Sequence, residues 1–345
     1  MRHALAALGL MLLAALPAAA FDIEEDHRFG PAGTARVVSV LSTTDTAVFR
    51  PLIEGFLARS PGLALRYTVT SSNEVYRAVA EEAAPYDLVI SSAMDLQMKL
   101  ANDGLARAVP GAGAAAGLPP WAFWRDQVFA VAQEPVVLVL HRDALAGGLP
   151  LPRTRRDLVT LLREHPDRFR GRIGTYDPKT SGAGFLFATQ EARQSDAFWR
   201  LAEVMGRLDA RLYCCTSDML ADLVAGRLLV AHNVLGSYAA GGLAGSEALL
   251  TVEPEDFTLM LLRSALVPVQ APAPALGAEF LRFLLSAEGR QLFAQAARLP
   301  PVDPSAFARA THLRPIRLDP GLLAPQDRMM RRQFLEEWNA ALVQP

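Results

Sequence analysis

Short apolar runs alternate along the chain with stretches in which apolar residues recur every three or four positions. The run at 35–41 reads ARVVSVL, and helical spacing follows it between residues 48 and 57. Strand-like runs at 65–69 and 87–90 are followed by helical patterns in the same way. Because strands that alternate with helices favour parallel pairing through right-handed crossovers, this rhythm predicts an α/β fold with a mainly parallel sheet flanked by helices.

The second half of the chain predicts a second lobe. Apolar runs at 128–132 and 136–140 are separated by Pro135, which indicates one extended segment interrupted where it crosses between lobes. Strands and helices then alternate again, and a strand at 258–262 is a candidate return crossing. Three helical patterns close the chain, and we expect them to pack outside the first lobe. These patterns lie at 278–285, 288–297 and 326–342.

Chain length also favours two lobes. A single hydrophobic core stops growing at about 250–300 residues, and this chain has 345. We therefore expect two lobes, each a mainly parallel sheet flanked by helices, joined by two crossing strands. The predicted division is a signal peptide at 1–20, the first part of lobe 1 at 21–134, lobe 2 at 135–258, and the return of lobe 1 with the C-terminal helices at 259–345.

The N-terminus has the three parts of a secretory signal. Arg2 and His3 precede an apolar run at 4–16, and Pro17 and three alanines follow it. The run is shorter than the roughly 20 residues that cross a bilayer, so we expect cleavage after Ala20 and export of a soluble chain. An uncleaved anchor helix is the alternative.

Composition narrows the function classes. The chain is 51% hydrophobic and 20% charged, which is typical of a globular protein rather than a disordered one. Its 34 basic and 36 acidic residues leave a net charge of −2. Because phosphate backbones bind to concentrated basic surfaces, this balance argues against nucleic acid as the main partner. We expect a monomer.

Three predicted strands of the first half each end in a cluster of small polar side chains that precedes a helix. The clusters are Ser42-Thr43-Thr44, Ser71-Ser72-Asn73 and Ser91-Ser92. Open α/β sheets bind ligands at the carboxyl ends of their strands, where helix N-termini offer unpaired N–H groups. Ser, Thr and Asn are also preferred helix caps, so each cluster alone has a structural explanation. Three of them at one edge of a sheet indicate a shared pocket.

A glycine-rich segment at 176–184 follows a predicted strand and opens a helix. Backbone N–H groups of Ser181, Gly182, Ala183 and Gly184 would point at an anion, and the helix dipole adds partial positive charge. The segment has neither the Walker A order nor the nucleophile-elbow order. A glycine-rich helix start without a ligand is the alternative.

Cys214 and Cys215 are the only cysteines of the chain. In an oxidising compartment, any intramolecular disulfide must join these neighbours and would be strained, because adjacent Cα atoms lie closer together than disulfides prefer. A vicinal disulfide and a pair of buried thiols remain equal alternatives.

The segment at 232–238 again follows a predicted strand. Asn233, Ser237 and Tyr238 could donate hydrogen bonds to a ligand there, and core packing with a turn at Gly236 is the alternative. The six histidines are scattered, without the spacing of a metal site, and no serine has an identifiable base partner. We therefore expect no metal, no cofactor and no catalytic residue.

These features, with the segment FLLSAEGR at 283–290 and LPPV at 299–302, resemble a bacterial ABC-transporter periplasmic solute-binding protein. The resemblance is strongest to the type 2 group, which includes binders of ferric iron and of hexose phosphates. It implies two lobes that close on a ligand, and delivery of that ligand to an ABC permease or its presentation to a sensor kinase.

The strand-end pattern and the resemblance together predict capture of a small organic anion, a carboxylate or a phosphate ester, in the periplasm. The expected ligand-binding residues are Ser42, Thr43, Thr44, Ser72, Ser92, Ser181, Gly182, Ala183, Tyr213, Asn233, Ser237 and Tyr238.

Two alternatives stay open. Iron(III) with a synergistic anion is one, although ferric binders typically carry adjacent tyrosines where this chain has the single Tyr238 near its loop. An exported hydrolase on the same fold is the other, and it would need a hydroxyl or thiol within reach of a histidine.

Overall fold

The computed structural model of the protein describes residues 21–242, 247–297 and 299–343. The expected signal peptide at 1–20 lies outside the described residues, so its cleavage after Ala20 stays a prediction. Within the described ranges, no helix has both the length and the apolar character that a membrane crossing requires.

Thirteen strands are present in the described part of the chain. They are β1 (Glu25–Phe29), β2 (Val37–Ser42), β3 (Ala64–Val69), β4 (Leu88–Ser91), β5 (Ala106–Arg107), β6 (Phe123–Trp124), β7 (Val128–His141), β8 (Ile173–Tyr176), β9 (Arg211–Tyr213), β10 (Val230–Leu235), β11 (Leu249–Val252), β12 (Thr258–Pro268) and β13 (Leu313–Pro315).

Fourteen α-helices accompany these strands in the same residues. They are α1 (Thr46–Arg59), α2 (Ser72–Ala80), α3 (Met94–Asn102), α4 (Ala112–Ala115), α5 (Arg155–Glu164), α6 (Pro166–Phe169), α7 (Gly182–Gln194), α8 (Ala197–Arg207), α9 (Thr216–Val224), α10 (Gly236–Gly242), α11 (Pro274–Leu285), α12 (Ala287–Gln295), α13 (Ala306–Arg309) and α14 (Arg328–Leu342). Short 3₁₀ turns lie at Pro120–Ala122, Arg142–Leu145, Pro320–Leu322 and Ala324–Gln326.

The strands form one continuous path in the order β1-β3-β2-β4-β12-β7-β10-β8-β9. Pairing is parallel within β3-β2-β4 and within β10-β8-β9, and antiparallel where β12 and β7 join these two groups. The fold is thus the α/β arrangement predicted from the sequence, with two parallel groups connected through two long strands.

Strand β7 changes partners halfway along its length. Residues 129–135 pair with β12, and residues 136–140 pair with β10. The two apolar runs predicted around Pro135 are therefore one strand of 14 residues. We call the sheet on the β4 side of this change the first half and the sheet on the β10 side the second half. The lobe boundaries given above stay a prediction.

The C-terminal helices do not all pack where the sequence suggested. Helices α11 and α12 cover the first half, where Phe280 and Phe283 contact Phe56 with ring centroids 4.7 and 5.5 Å away. Helix α14 packs instead on α8 of the second half, because Trp338 stacks on Phe198 with centroids 5.7 Å apart. The prediction that the helix at 326–342 packs on the outer surface of the first lobe is therefore wrong.

Candidate ligand-binding cavity

A cavity lies where the carboxyl ends of strands from both halves meet the starts of helices. Its volume is about 60 Å³, and at about 10–15 Å³ per water-sized group it has room for about four to six such groups. The residues that line it are Glu24, Thr43, Asp45, Thr70, Ser71, Ser72, Ser92, Tyr176, Ser181, Ala183, Cys214, Cys215, Thr216, Ser217, Leu235 and Tyr238.

The first-half wall is a set of hydrogen-bonded hydroxyl groups at strand ends. The backbone N–H of Ser92, after β4, donates to Thr43 Oγ1, after β2, at 3.1 Å. Ser71 caps α2 by accepting the N–H of Glu74 at 3.4 Å. Parallel pairing of β2 with β3 and β4 brings these loops together, because it places all three carboxyl ends at one edge of the sheet.

The second-half wall is formed by the starts of α7 and α9. Ser181 caps α7 by accepting the N–H of Gly184 at 3.1 Å. The hydroxyls of Tyr176 and Thr216 are hydrogen-bonded to each other. Helix α9 begins after Cys215 and has no side-chain cap, so the first N–H groups of this nine-residue helix lack intrahelical partners at the cavity wall.

The two halves also contact each other directly. The Ala183 N–H donates to Ser72 Oγ at 3.2 Å, and the Asn73 side-chain amide donates to Thr180 O at 2.8 Å. On the opposite side, the Tyr238 hydroxyl donates to Asp45 Oδ1 at 3.0 Å. These bonds join α2 to α7 and the β2–α1 loop to α10, so they bound the cavity on two sides, while Glu24, Cys214 and Ser217 of its wall remain exposed.

The charge of the cavity is acidic. Of the described side chains that line it, none is lysine, arginine or histidine, whereas Glu24 and Asp45 are carboxylic acids. Burial raises the pKa of both groups, and their mutual repulsion raises the pKa of Glu24 further. Burial likewise raises the pKa of the Cys215 thiol, with Cys214 as a further cause. Both carboxyls thus lack a positive partner in the wall.

A buried ion pair lies behind the cavity on the two crossing strands. Arg263 of β12 donates to Glu134 of β7 at 2.7 Å, and both side chains are completely buried. Arg263 also donates to Thr44 Oγ1, and Glu134 accepts the N–H and the hydroxyl of Ser237 at 3.1 and 2.5 Å. The pair therefore connects the β2–α1 loop with the start of α10.

The structure places half of the predicted binding residues in the cavity wall. Those in the wall are Thr43, Ser72, Ser92, Ser181, Ala183 and Tyr238. The other six, Ser42, Thr44, Gly182, Tyr213, Asn233 and Ser237, are not among the lining residues.

Local contacts explain why these six side chains lie elsewhere. Ser42 Oγ accepts the Thr44 N–H at 3.0 Å, and Tyr213 donates to Asp222 at 2.6 Å. Asn233 lies in a bulge of β10 with a positive φ of 64°, and its amide donates to Glu191 at 3.1 Å. Thr44 and Ser237 bond to the buried ion pair described above.

Gly182 lies at the contact between the halves. A Cβ atom at this position would lie 2.8 Å from Leu96 Cδ1 and 2.9 Å from Ser72 Oγ. A larger residue here would therefore crowd the contact between α7 and the first half.

Sequence reasoning did not predict several residues of the cavity wall. Asp45 directly follows the Ser42-Thr43-Thr44 cluster, so its position in the loop was the available signal. Glu24 gave no such signal, because it reaches the cavity only through the pairing of β1 with the neighbouring β3.

The adjacent cysteines are free thiols in the structure. The ligand atoms of Cys214, Cys215 and Asp218 lie within 4.8 Å of one another, and within the described ranges they form the one such group of three that could hold a metal ion.

The hydrolase alternative required a nucleophile beside a histidine. Thr175 Oγ1 lies 3.3 Å from His232 Nδ1, but both side chains are buried and neither lines the cavity. This pair therefore does not assemble a nucleophile and base at the cavity.

Comparison with known proteins identifies the family. Residues 38–296 match the family described as bacterial extracellular solute-binding protein. A substrate-binding protein of an ABC transporter from Agrobacterium tumefaciens is 34% identical, with a TM-score of 0.87 over 92% of this chain and 98% of that chain. No curated protein matches the sequence.

More distant structures share the fold. The periplasmic binding protein AfuA from Actinobacillus pleuropneumoniae, solved with fructose 6-phosphate, is 14% identical with a TM-score of 0.71, covering 89% of this chain and 99% of that chain. Iron-bound HitA from Pseudomonas aeruginosa is 18% identical with a TM-score of 0.64, again over 89% and 99%. The fold is therefore that of type 2 periplasmic binding proteins, and the chain belongs to the family of bacterial extracellular solute-binding proteins of ABC transporters, which are transport proteins rather than enzymes.

Proposed function

We propose that the protein captures a small organic anion, a carboxylate or a phosphate ester, between its two halves in the periplasm and delivers it to an ABC permease. The observation that carries this proposal is the uncapped start of α9 at the cavity wall. Its free N–H groups and the helix dipole together favour a negatively charged group at that point.

Hydroxyl groups support the same assignment. Ser72 and Ser181 are buried, and each accepts a backbone N–H through its oxygen. A hydroxyl that accepts one hydrogen bond still has its own O–H to donate. Both residues therefore offer a donor to an anionic oxygen in the cavity, while their oxygens stabilise the start of α7.

Cavity volume limits the size of the solute. Room for about four to six water-sized groups suits a compact anion. A larger solute would require the bonds of Ser72 to Ala183 and of Tyr238 to Asp45 to open, because they close the cavity on two sides.

Iron(III) is disfavoured by the state of the cavity tyrosines. Burial raises the pKa of both Tyr176 and Tyr238, so the phenolates that a ferric ion binds are costly here. Tyr238 already donates its proton in a hydrogen bond to Asp45.

Native mass spectrometry of protein purified without denaturation tests the proposal. We expect an added mass that corresponds to one compact carboxylate or phosphate ester per chain. In a Gly182→Val variant we expect the fraction of chains that carry the solute to fall at least about tenfold, because the valine side chain would push α7 away from Ser72 and Leu96. Full retention of the solute by a folded Gly182→Val variant, or a solute without an anionic group, would contradict the proposal.

A further inference from the structure

The carboxyl groups of the cavity have no role in holding an anion. Glu24 and Asp45 both line the wall, and a third carboxyl, Asp218, is close enough to contribute to the raised pKa of Glu24. A purely anionic solute would meet these like charges in a small, partly desolvated space, where electrostatic interactions are stronger than in water. None of the described residues that line the wall is cationic, and Arg263, which lowers the pKa of Asp45 from behind the wall, is already paired with Glu134.

Asp45 is positioned as a binding group rather than as a helix cap. It occupies the position before α1, but its side chain makes no capping bond there. One oxygen, Oδ1, accepts the hydroxyl of Tyr238 at 3.0 Å. The Asp45 backbone N–H is 3.4 Å from the same hydroxyl, so Tyr238 fixes both the loop and the carboxyl group. The carboxyl is thus oriented at the cavity with acceptor capacity left over.

The two kinds of binding group come from different segments around one cavity, and Glu24 lies close enough to Cys215 and Asp218 at the start of α9 to influence the pKa of Cys215. Donors come from the starts of α2, α7 and α9, whereas the carboxyls of Glu24 and Asp45 come from the segments before β1 and α1. A solute that satisfies both must carry a positive and a negative charge a few bonds apart.

We propose that the solute is a compact zwitterion whose ammonium group is bound by Asp45 and Glu24 while its carboxylate or phosphate is bound at the helix starts. This inference rests on the proposed function, because it assumes the anion site. It adds a positive charge on the solute, which the cavity would select through carboxyl groups that would repel a simple anion.

Matched probe pairs test the second charge separately from the first. Calorimetry at pH 7 in buffer with EDTA compares β-alanine with propionate, and phosphoethanolamine with ethyl phosphate. We expect one zwitterion to bind at least about tenfold more tightly than its matched anion.

The Asp45→Asn variant should abolish most of that preference. Asparagine keeps an oxygen for the Tyr238 hydroxyl but loses the charge. Asp26→Asn is the matched control, because Asp26 is a half-exposed carboxylate paired with Arg66 outside the cavity, and we expect it to leave the preference unchanged.

Each other outcome has a defined meaning. Equal or tighter binding of a matched anion, or a preference that survives in Asp45→Asn, would overturn the zwitterion while leaving anion capture intact. Binding of none of the four probes would count against both proposals. A third outcome is that none of the probes binds, whereas Zn²⁺ binds in the absence of EDTA and this binding is lost in Cys214→Ser. That result would indicate a metal site at the cavity wall instead, with Cys214, Cys215 and Asp218 as its ligands.

Discussion

Two buried ion pairs of similar geometry have very different surroundings. Arg263 and Glu134 lie on the crossing strands, and their remaining bonds go to Thr44 of the β2–α1 loop and to Ser237 of α10. Arg155 donates to Glu191 at 2.8 Å within the second half, where the two side chains are 4% and 0% exposed.

The second pair serves its own half alone. Arg155 Nη1 donates to Asp256 at 3.1 Å and to Phe257 O at 2.7 Å, and Glu191 accepts the Asn233 amide. Burial raises the pKa of Glu191, but Arg155, His232 and Asn233 together outweigh it, so the pKa lies below its ordinary value. Because both pairs are buried, we expect a similar loss of folding stability when either is disrupted, whereas only the first pair connects the β2–α1 loop with α10.

Removal of Arg263 should have the largest effect. Arg263→Met leaves Glu134 buried without its cation, which we expect to lower the free energy of unfolding by about 3–5 kcal/mol. It also frees Thr44, so we expect the fraction of protein that retains its solute to fall at least about tenfold. Chemical denaturation measures the first quantity and native mass spectrometry the second.

A double variant separates charge from position. Arg263→Met with Glu134→Leu removes both buried charges, and we expect it to recover part of the lost stability. Solute retention should stay low, because the bonds to Thr44 and Ser237 remain absent. Recovery of retention together with stability would show that the pair acts only through the fold.

Removal of Arg155 should match the first variant in stability and differ in binding. Arg155→Met leaves Glu191 without its strongest partner, and we expect a loss of about 3–5 kcal/mol in the free energy of unfolding. Retention of the solute by the folded fraction should be unchanged, because no bond of Arg155 reaches a cavity residue. A drop in retention comparable to that of Arg263→Met would break the comparison between the pairs.

The two pairs also show how far sequence reasoning reached. The strand-end clusters identified the first-half wall, because parallel pairing follows from the alternation of strands and helices, and Thr43, Ser72 and Ser92 lie in the cavity as that rule requires. Asn233 and Ser237 were predicted to follow a strand in the same way, yet Asn233 lies within β10, and the two side chains bond to Glu191 and Glu134. Glu134 and Arg263 are far apart in sequence, so no local pattern revealed that they would meet.

Strand β1 and the packing site of α14 were missed, because both depend on partners that are distant in the chain. Strand β1 reads EDHRF and lies at the sheet edge, where its polar side chains remain exposed. Helix α8 has a clear apolar face, but that face packs on α5 and α14, which are distant in the chain. The position of α14 on the second half depends on this contact and could not be read from the helix itself.

Asp95 is a buried carboxyl whose side-chain hydrogen-bond partner is an amide rather than a cation. Its replacement should have the smallest effect of the variants considered. It accepts the Gln326 amide at 2.5 Å and the Leu96 N–H at 3.0 Å, and burial raises its pKa from 3.8 to about 6. The folded state therefore binds more protons than the unfolded state between about pH 4 and pH 6. The contribution of Asp95 to the free energy of unfolding is complete below this range and is lost as the pH rises through 6. The shift of about two pKa units corresponds to about 3 kcal/mol at most.

Melting of Asp95→Asn across pH 4 to 7.5 measures this contribution. We expect the variant to resemble the wild type near pH 4 and to melt at a higher temperature above pH 6, because asparagine cannot ionise. Asp26→Asn is the control with the opposite sign, since the Arg66 side chain lowers the pKa of Asp26 and its contribution is lost as the pH falls. If the melting temperatures of Asp95→Asn and the wild type changed with pH in the same way, the folded protein would stabilise the Asp95 carboxylate as well as water does. In that case Arg331, the one cation that lowers its pKa, would act as a true partner, and Asp95 would join Glu134 and Glu191 as a third buried ion pair.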